Sequence, residues 1–208
     1  SLLPGIEDET SEDFDRAFRI LDVLRKTSSR DIEDDPDAEG RDGYFWQCFF
    51  LAVITNPSRR QGALAFLTRK LPNFTSIETP PDSSKVEDRT LPLAAQAAIN
   101  PEPGLLVRCF AAGLQDSQIL VQRGFLDLLV THLPLHSPVF RNHVRSKDMV
   151  LITTAAASCV LRRDMSLNRR LWSWFLGPDP TASEAEDGAP LSPTDSRGNV
   201  SQKQALYF

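Results

Sequence analysis

Apolar residues recur along this chain at intervals of three and four positions. The stretch that begins at Ser11, SEDFDRAFRILDVLRK, starts with a residue that favours helix N-caps, continues with acids that stabilise a first turn, and then places its apolar residues on one helical face. Similar stretches follow as far as position 176, and none of them alternates strictly as a half-buried strand does. The pattern predicts an all-α protein.

Polar and proline-containing breaks divide this pattern into separate helices. Asn56 followed by Pro57, for example, is typical of a helix start, because the asparagine side chain can cap the first turn that the proline begins. After the first helix, the sequence predicts further helices over about 43–55, 58–71, 91–99, 105–116, 116–133, 136–145, 147–163 and 164–176.

Three segments lack the helical period. Residues 28–42 and 73–90 are rich in acids, proline and serine, so we expect disordered loops inserted into one domain that spans 1–177. Residues 178–203 have little apolar surface to bury, which predicts a disordered linker. The apolar residues at 204–208 are typical of the start of a further helix, and we expect the chain to be a piece of a longer protein.

Three of the predicted helices share one plan: a polar cap, one or two arginines, and a hydrophobic block that ends at proline or glycine. Their caps are Asn56, Asp116 and Asp164. Aligning Leu64, Leu126 and Trp172 gives spacings of 62 and 46 residues. HEAT and armadillo repeats have about 40–47 residues, and the first spacing approaches this length once the inserted loop is removed. We therefore predict a HEAT/armadillo-like α-solenoid built from antiparallel helix pairs.

The positions of apolar residues around two helices indicate which side chains form the core. In the segment 119–133 they cover an arc of about 200°, which is too wide for a surface helix and indicates cover on two sides. The remaining strip places Arg123 four residues before Asp127, where an ion pair is expected. In the last helix Trp174 belongs to the core face, whereas Trp172 lies at its flank.

Composition narrows the classes of function. The chain has 208 residues, 41% of them hydrophobic, which suffices for a sizeable core. Its net charge of -5 argues against a dedicated nucleic-acid-binding domain. The three cysteines at 48, 109 and 159 lack CxxC spacing and indicate buried free thiols in a reducing compartment. Because no signal-peptide pattern and no apolar run of about 18 residues occurs, we expect a cytoplasmic protein.

No catalytic motif was found in the chain: GxSxG, GxGxxG, the P-loop and HExxH are all absent. His132 and His136 are four residues apart, but Pro134 ends the helix between them, so we do not expect a shared metal. The acids of residues 7–42 lack the apolar pocket that raises a carboxyl pKa for catalysis. We therefore expect no enzyme activity, no cofactor, and no catalytic or metal-binding residue.

Positive charge is concentrated between positions 141 and 170, whereas residues 7–42 carry an excess of acids. Such a basic surface could bind a charged partner or an anionic lipid, and the alternative is that these are ordinary solvated helix faces. The candidate residues for a partner or lipid surface are Arg141, Arg145, Lys147, Arg162, Arg163, Arg169, Arg170 and Trp172.

Several stretches of the chain resemble one known family. The segments TNPSRRQGALAFLTRKLP, LQDSQILVQRGFLDLLVTHLP and KDMVLITTAAASCVLRRDMSLNRRLWSWFLG are similar to the N-terminal domain of the Dopey family of large cytosolic trafficking proteins. The opening SLLPGIEDETSEDFDRAFRILDVL resembles the lead-in of the same domain. The resemblance covers most of residues 1–177 and is interrupted by the loop at 73–90.

This resemblance implies a non-catalytic helical scaffold that acts in transport from endosomes to the Golgi. It implies a peripheral location on the cytosolic face of Golgi and endosomal membranes. It also implies two partners, a large HEAT-repeat protein similar to Arf exchange factors and a phospholipid flippase. The family contributes no site residues, so the basic residues above, and an anionic phosphoinositide surface as their ligand, rest on charge alone.

The sequence leaves two other functions open. Nucleic-acid-binding and nuclear-transport proteins also use helical repeats with rows of arginines, although we expect no nucleic-acid partner here. A helical enzyme would need a polar pocket that the sequence does not indicate.

Overall fold

The computed structural model describes residues 2–30, 41–75, 91–100 and 102–177. The chain divides into two compact units, Ser1–Pro178 and Asp179–Phe208, and the second lies outside the described residues. The linker expected at 178–203 and the helix start expected at 204–208 also lie outside the described residues. Most of the two expected inserted loops also lies outside the described residues.

All regular elements in the described part of the chain are helical, which confirms the all-α class. Nine α-helices lie in these ranges: α1 (Phe14–Arg30), α2 (Arg41–Thr55), α3 (Arg60–Lys70), α4 (Leu93–Ile99), α5 (Pro103–Leu114), α6 (Ile119–His132), α7 (Pro138–Asn142), α8 (Ser146–Ser158) and α9 (Met165–Leu176). Short 3-10 turns lie at Leu3–Ile6, Pro57–Arg59 and Cys159–Arg162.

Two predicted helix caps are confirmed. The Asn56 side chain accepts a hydrogen bond from the Ser58 backbone N–H at 3.0 Å, and Asp164 accepts one from the Leu167 N–H at 3.0 Å. Each side chain therefore satisfies one of the backbone donors that a helix start leaves without a partner.

Several predicted helix boundaries are wrong: α6 begins three residues later than predicted and α7 ends three residues earlier, and two further differences have a visible cause. Ser11 does not begin the first helix, because its carbonyl accepts from the Phe14 N–H in a separate turn and α1 starts at Phe14. The helix predicted over 147–163 ends at Ser158 and passes into a 3-10 turn. Arg163 closes that turn with a φ of 54°, a left-handed conformation that stops any helix.

The helices contact one another in two series. In one series α5 packs against α2 and α8, and in the other α6 packs against α3 and α9. Helices α5 and α6 also pack on each other, with the ring of Phe110 edge-on to Phe125 at 5.5 Å. A Cβ atom at Gly113 would lie 2.3 Å from the Phe125 ring, so this approach requires glycine. The prediction that α6 is covered on two sides is confirmed.

Residues 73–75, which the sequence assigned to a loop, pack on the end of α6. Phe74 is buried, and its backbone N–H donates to the His132 carbonyl at 3.0 Å. The ring nitrogen Nδ1 of His132 lies 3.3 Å from the Pro72 carbonyl oxygen. Burial lowers the pKa of His132, although its contact with Pro72 opposes that shift.

The expectation of buried thiols holds for two of the three cysteines. Cys109 and Cys159 are buried, and burial raises the pKa of both thiols. Cys48 is exposed, because it shares the outward face of α2 with Tyr44 and Leu51. The expectation was wrong for this residue.

Asp22 connects α1 to the end of α3 through several cations. Its carboxylate lies 2.9 Å from the Lys26 ammonium, 3.0 Å from the Arg25 guanidinium and 3.4 Å from the Lys70 ammonium. Desolvation by itself raises the pKa of Asp22, but the bonds from Lys26 and Arg25 and the charge of Lys70 outweigh it. The pKa is lowered to about 2.

Because the folded pKa of Asp22 is depressed, its stabilisation is present above the ordinary pKa near 3.8 and is lost as the pH falls toward 2. We expect Asp22→Asn to lower the free energy of unfolding by about 1–2 kcal/mol at pH 7. Urea unfolding at pH 7, 4 and 2.5 should show the difference from the unsubstituted protein shrinking over the last step. A difference that does not change with pH would contradict this ion-pair assignment.

Candidate partner surface

Three of the candidate cations surround the start of α8. Arg141 lies in the last turn of α7, Arg145 directly precedes α8, and Lys147 lies in its first turn. All three side chains are exposed. They form the first basic group, defined here as Arg141, Arg145 and Lys147.

Arg162 and Arg163 follow the other end of α8. That helix has 13 residues, which at about 1.5 Å per residue separates its ends by roughly 18 Å. The Arg162 guanidinium donates to the backbone carbonyls of Asp116 and Ser117 at 3.2 and 3.3 Å, so it is held against the turn that precedes α6. The eight candidate residues are therefore not one cluster.

Helix α9 carries the remaining candidates on different faces. Leu167, Leu171 and Trp174 are buried, and Trp174 is only 2% exposed. Its indole N–H donates to the Leu133 carbonyl at 3.0 Å. Trp172 is 58% exposed on the opposite face, so the assignment of Trp174 to the core and of Trp172 outside it is confirmed.

Arg170 is engaged within the domain. Its guanidinium pairs with the Asp127 carboxylate of α6 and also donates to the hydroxyl of Ser166. The predicted pair between Arg123 and Asp127 does not form, because Arg123 instead lies 3.7 Å from Asp164. Asp127 of α6 therefore contacts an arginine of α9, and Asp164, which precedes α9, contacts an arginine of α6.

A groove lies between α6 and α9, beside the ion pair of Arg170 and Asp127. It has a volume of about 340 Å³. Its walls carry both polar and apolar groups, and the lining residues are Asp127, Val130, Thr131, Arg169, Arg170 and Ser173.

The two acids within the basic segment do not neutralise it. Asp148 lies 3.2 Å from Arg108 of α5, and Asp164 contacts Arg123 of α6. Within the described part of the chain, six of the seven candidate cations make no ion pair with another described residue: Arg141, Arg145, Lys147, Arg162, Arg163 and Arg169. Of these, Arg162 is held by backbone carbonyls. The exposed cations of the first basic group, Arg163 and Arg169 are therefore each available to a ligand.

The acidic surface expected over residues 7–42 is partly neutralised where the structure describes it. Glu9 lies 2.8 Å from Arg69, and Asp22 contacts Lys70, both at the end of α3. The guanidinium of Arg69 also lies over the rings of Phe14 and Phe18, at 5.0 and 5.4 Å from their centroids.

The two histidines that the sequence singled out have different surroundings. His132 packs against the chain at Pro72, whereas His136 is exposed. Within the described ranges, no three side chains of histidine, cysteine, aspartate or glutamate are grouped to hold a metal ion. No helix in those ranges combines the length and the apolar character that crossing a membrane requires.

Sequence reasoning missed two features of this region. One is the ion pair between Arg60 and Asp116, 2.9 Å long and largely shielded from solvent, whose partners are 56 residues apart in different copies of the shared helix plan. The other is a set of exposed apolar side chains near Trp172. The signal for that set was present in the helical positions of Met165 and Leu176, which share one face with Trp172.

Comparisons with known proteins cover most of this chain. The family described as "Dopey, N-terminal" matches residues 1–180. Protein dop1 of Emericella nidulans is 54% identical to the chain, Protein DOP1 of Saccharomyces cerevisiae 32%, and Protein DOP1B of Mus musculus 30%, each over the whole chain. No solved structure matches it.

The matched region is a small part of these relatives. The chain spans 12% of the length of the Emericella protein, 13% of the yeast protein and 8% of the mouse protein. The family match, and the alignment of this whole chain with relatives at 30% identity or more, agree with the resemblance found in the segments that form α3, α6 and α9. The chain belongs to the Dopey family and carries its N-terminal domain.

Proposed function

We propose that this domain is a non-catalytic helical scaffold with a HEAT/armadillo-like α-solenoid arrangement. The two contact series support that arrangement, since α2, α5 and α8 follow one another in one and α3, α6 and α9 in the other. Stacked helix pairs bury a continuous core and leave their outer faces free to bind other macromolecules. The domain would be one part of a large protein of membrane trafficking.

The first basic group supports a role of this domain in attachment to membranes. Arg141, Arg145 and Lys147 are exposed, adjacent in the chain around the turn into α8, and without an ion pair to any other described residue. Cations that no carboxylate neutralises attract anionic lipid headgroups, at about 1 kcal/mol for each residue near the membrane surface. We propose that this group helps to hold the protein on the cytosolic face of Golgi and endosomal membranes.

Vesicle flotation tests the proposal. We expect the chain to float with phosphatidylcholine vesicles that contain an acidic phosphoinositide and not with phosphatidylcholine alone. The double variant Arg145→Glu/Lys147→Glu should bind these vesicles at least tenfold more weakly, because two attractive charges become repulsive. Its far-UV circular dichroism and melting temperature should stay unchanged.

The double variant Arg16→Glu/Arg19→Glu is the matched control, because it makes the same change of charge on the exposed face of α1. It should float like the unsubstituted chain. Equal loss in both variants would mean that only net charge matters and would contradict a localised surface.

The protein partners follow from the family resemblance. We propose that the full-length protein binds a large HEAT-repeat protein similar to Arf exchange factors and acts with a phospholipid flippase. Co-purification of that HEAT-repeat protein with the full-length protein, with and without this domain, tests the contribution of the domain. Unchanged recovery without residues 1–177 would contradict a scaffold role for them.

A further inference from the structure

Helices α8 and α9 each expose an apolar face directed away from the rest of the domain. On α9 the exposed residues Met165, Arg169, Trp172 and Leu176 follow one another at intervals of four, three and four positions, so they form one stripe. Met165 and Leu176 are 84% and 79% exposed. The opposite face of α9 packs on α6.

The outward face of α8 has the same character. Val150 and Leu151 are exposed there, and Val160 and Leu161 extend the apolar surface into the following turn, where Leu161 is 82% exposed. The inward face of α8 packs on α5. Large contiguous apolar surfaces are rare on the outside of a protein and mark contacts with another element.

The ion pairs between successive helices repeat along one contact series. Arg60, at the start of α3, pairs with Asp116 just before α6, and Arg123 of α6 pairs with Asp164 just before α9. Each aspartate also accepts from a backbone N–H at the start of its own helix. In both pairs, an arginine therefore contacts the aspartate that opens the next helix of the series.

Arg169 holds the corresponding position on α9. It is the fifth residue of that helix, as Arg123 is the fifth residue of α6, but it is exposed and makes no ion pair within the described ranges. Arg169 therefore corresponds in position to Arg123, but no aspartate in the described ranges pairs with it.

We propose that the outward face of α8 and α9 is the stacking surface for a further antiparallel helix pair of the same polypeptide. This pair presents an apolar stripe to Leu161, Met165 and Trp172, and an acidic residue that opens its second helix pairs with Arg169. The inference rests on the solenoid arrangement proposed above. Relatives about eight times as long as this chain have ample sequence to supply the pair.

Oxidative footprinting by hydroxyl radicals tests the inference, with the full-length protein compared with the 208-residue chain. We expect Met165 and Trp172 to be oxidised at least tenfold more slowly in the full-length protein. Tyr44, exposed on α2, is the matched control and should react equally in both. Equal oxidation of Met165 and Trp172 in the two proteins would overturn the proposal.

Other occupants of the face give different results, and each would also overturn the proposal. A second copy would protect Met165 in the 208-residue chain itself, with protection that increases with concentration. A membrane would protect it only when vesicles are added.

A substitution on the stripe gives an independent readout. Trp172→Glu should leave the melting temperature of the 208-residue chain unchanged and should restore rapid oxidation of Met165 in the full-length protein. Continued protection of Met165 in that variant would count against stacking. The variant Arg141→Glu/Arg145→Glu, whose residues both precede α8, should weaken vesicle binding and keep full protection, so a failure of membrane binding and a failure of stacking are distinguishable.

Discussion

Replacing Trp174 with alanine should lower the free energy of unfolding by about 3–5 kcal/mol. The indole is buried, packs edge-on against the Phe140 ring at 6.1 Å, and donates to the Leu133 carbonyl. Alanine removes these contacts, leaves a cavity between α7 and α9, and leaves a buried carbonyl without its donor. Urea unfolding followed by far-UV circular dichroism measures the loss.

Trp172→Ala is the control for this substitution, because it removes the same side chain from the exposed face of the same helix. We expect its effect on the unfolding free energy to stay within about 0.5 kcal/mol in the 208-residue chain. Comparable losses in the two variants would contradict the burial of Trp174 and the exposure of Trp172.

Asp116→Ala should destabilise the domain by about 3 kcal/mol, because it leaves a guanidinium that is largely shielded from solvent without its counter-charge. Asp116 and Arg60 are both largely shielded from solvent, and Asp116 also accepts from the Gln118 N–H at the start of α6. The variant therefore loses an ion pair and a helix-start bond together. Chemical denaturation at pH 7 gives the magnitude.

Two further variants separate these contributions. Asp127→Ala removes a more exposed carboxylate, the partner of Arg170, and should cost less than about 1 kcal/mol. The double variant Arg60→Met/Asp116→Leu should recover part of the loss, since no unpaired buried charge remains. A double variant no more stable than Asp116→Ala would indicate that the helix-start bond dominates.

The sequence predicted the features that depend on local pattern. The helical class, the caps at Asn56 and Asp164, and the opposite placement of Trp172 and Trp174 all follow from spacing within one helix or its first turn. A period of 3.6 residues determines which side chains share a face, and that period can be read without any tertiary contact.

The features that depend on neighbouring helices could not be predicted. Arg123 had a suitable acid four residues away, yet the packing of α6 on α9 brought Asp164 to it instead. The basic residues between 141 and 170 are close in sequence, but the length of α8 separates them into groups. Exposed Cys48 illustrates the same limit, because only the packing of α2 decides which of its faces is covered.

One turn of the chain is bound from both sides. The loop that contains Asp116 receives Arg60 from α3 and Arg162 from the turn after α8, and the Gln122 side chain of α6 donates to the same backbone carbonyl as Arg162. Repeat proteins can fray pair by pair from their ends when neighbours are weakly coupled. Because α3, α6 and the turn after α8 are joined at one loop, this domain is expected to unfold as a single cooperative unit.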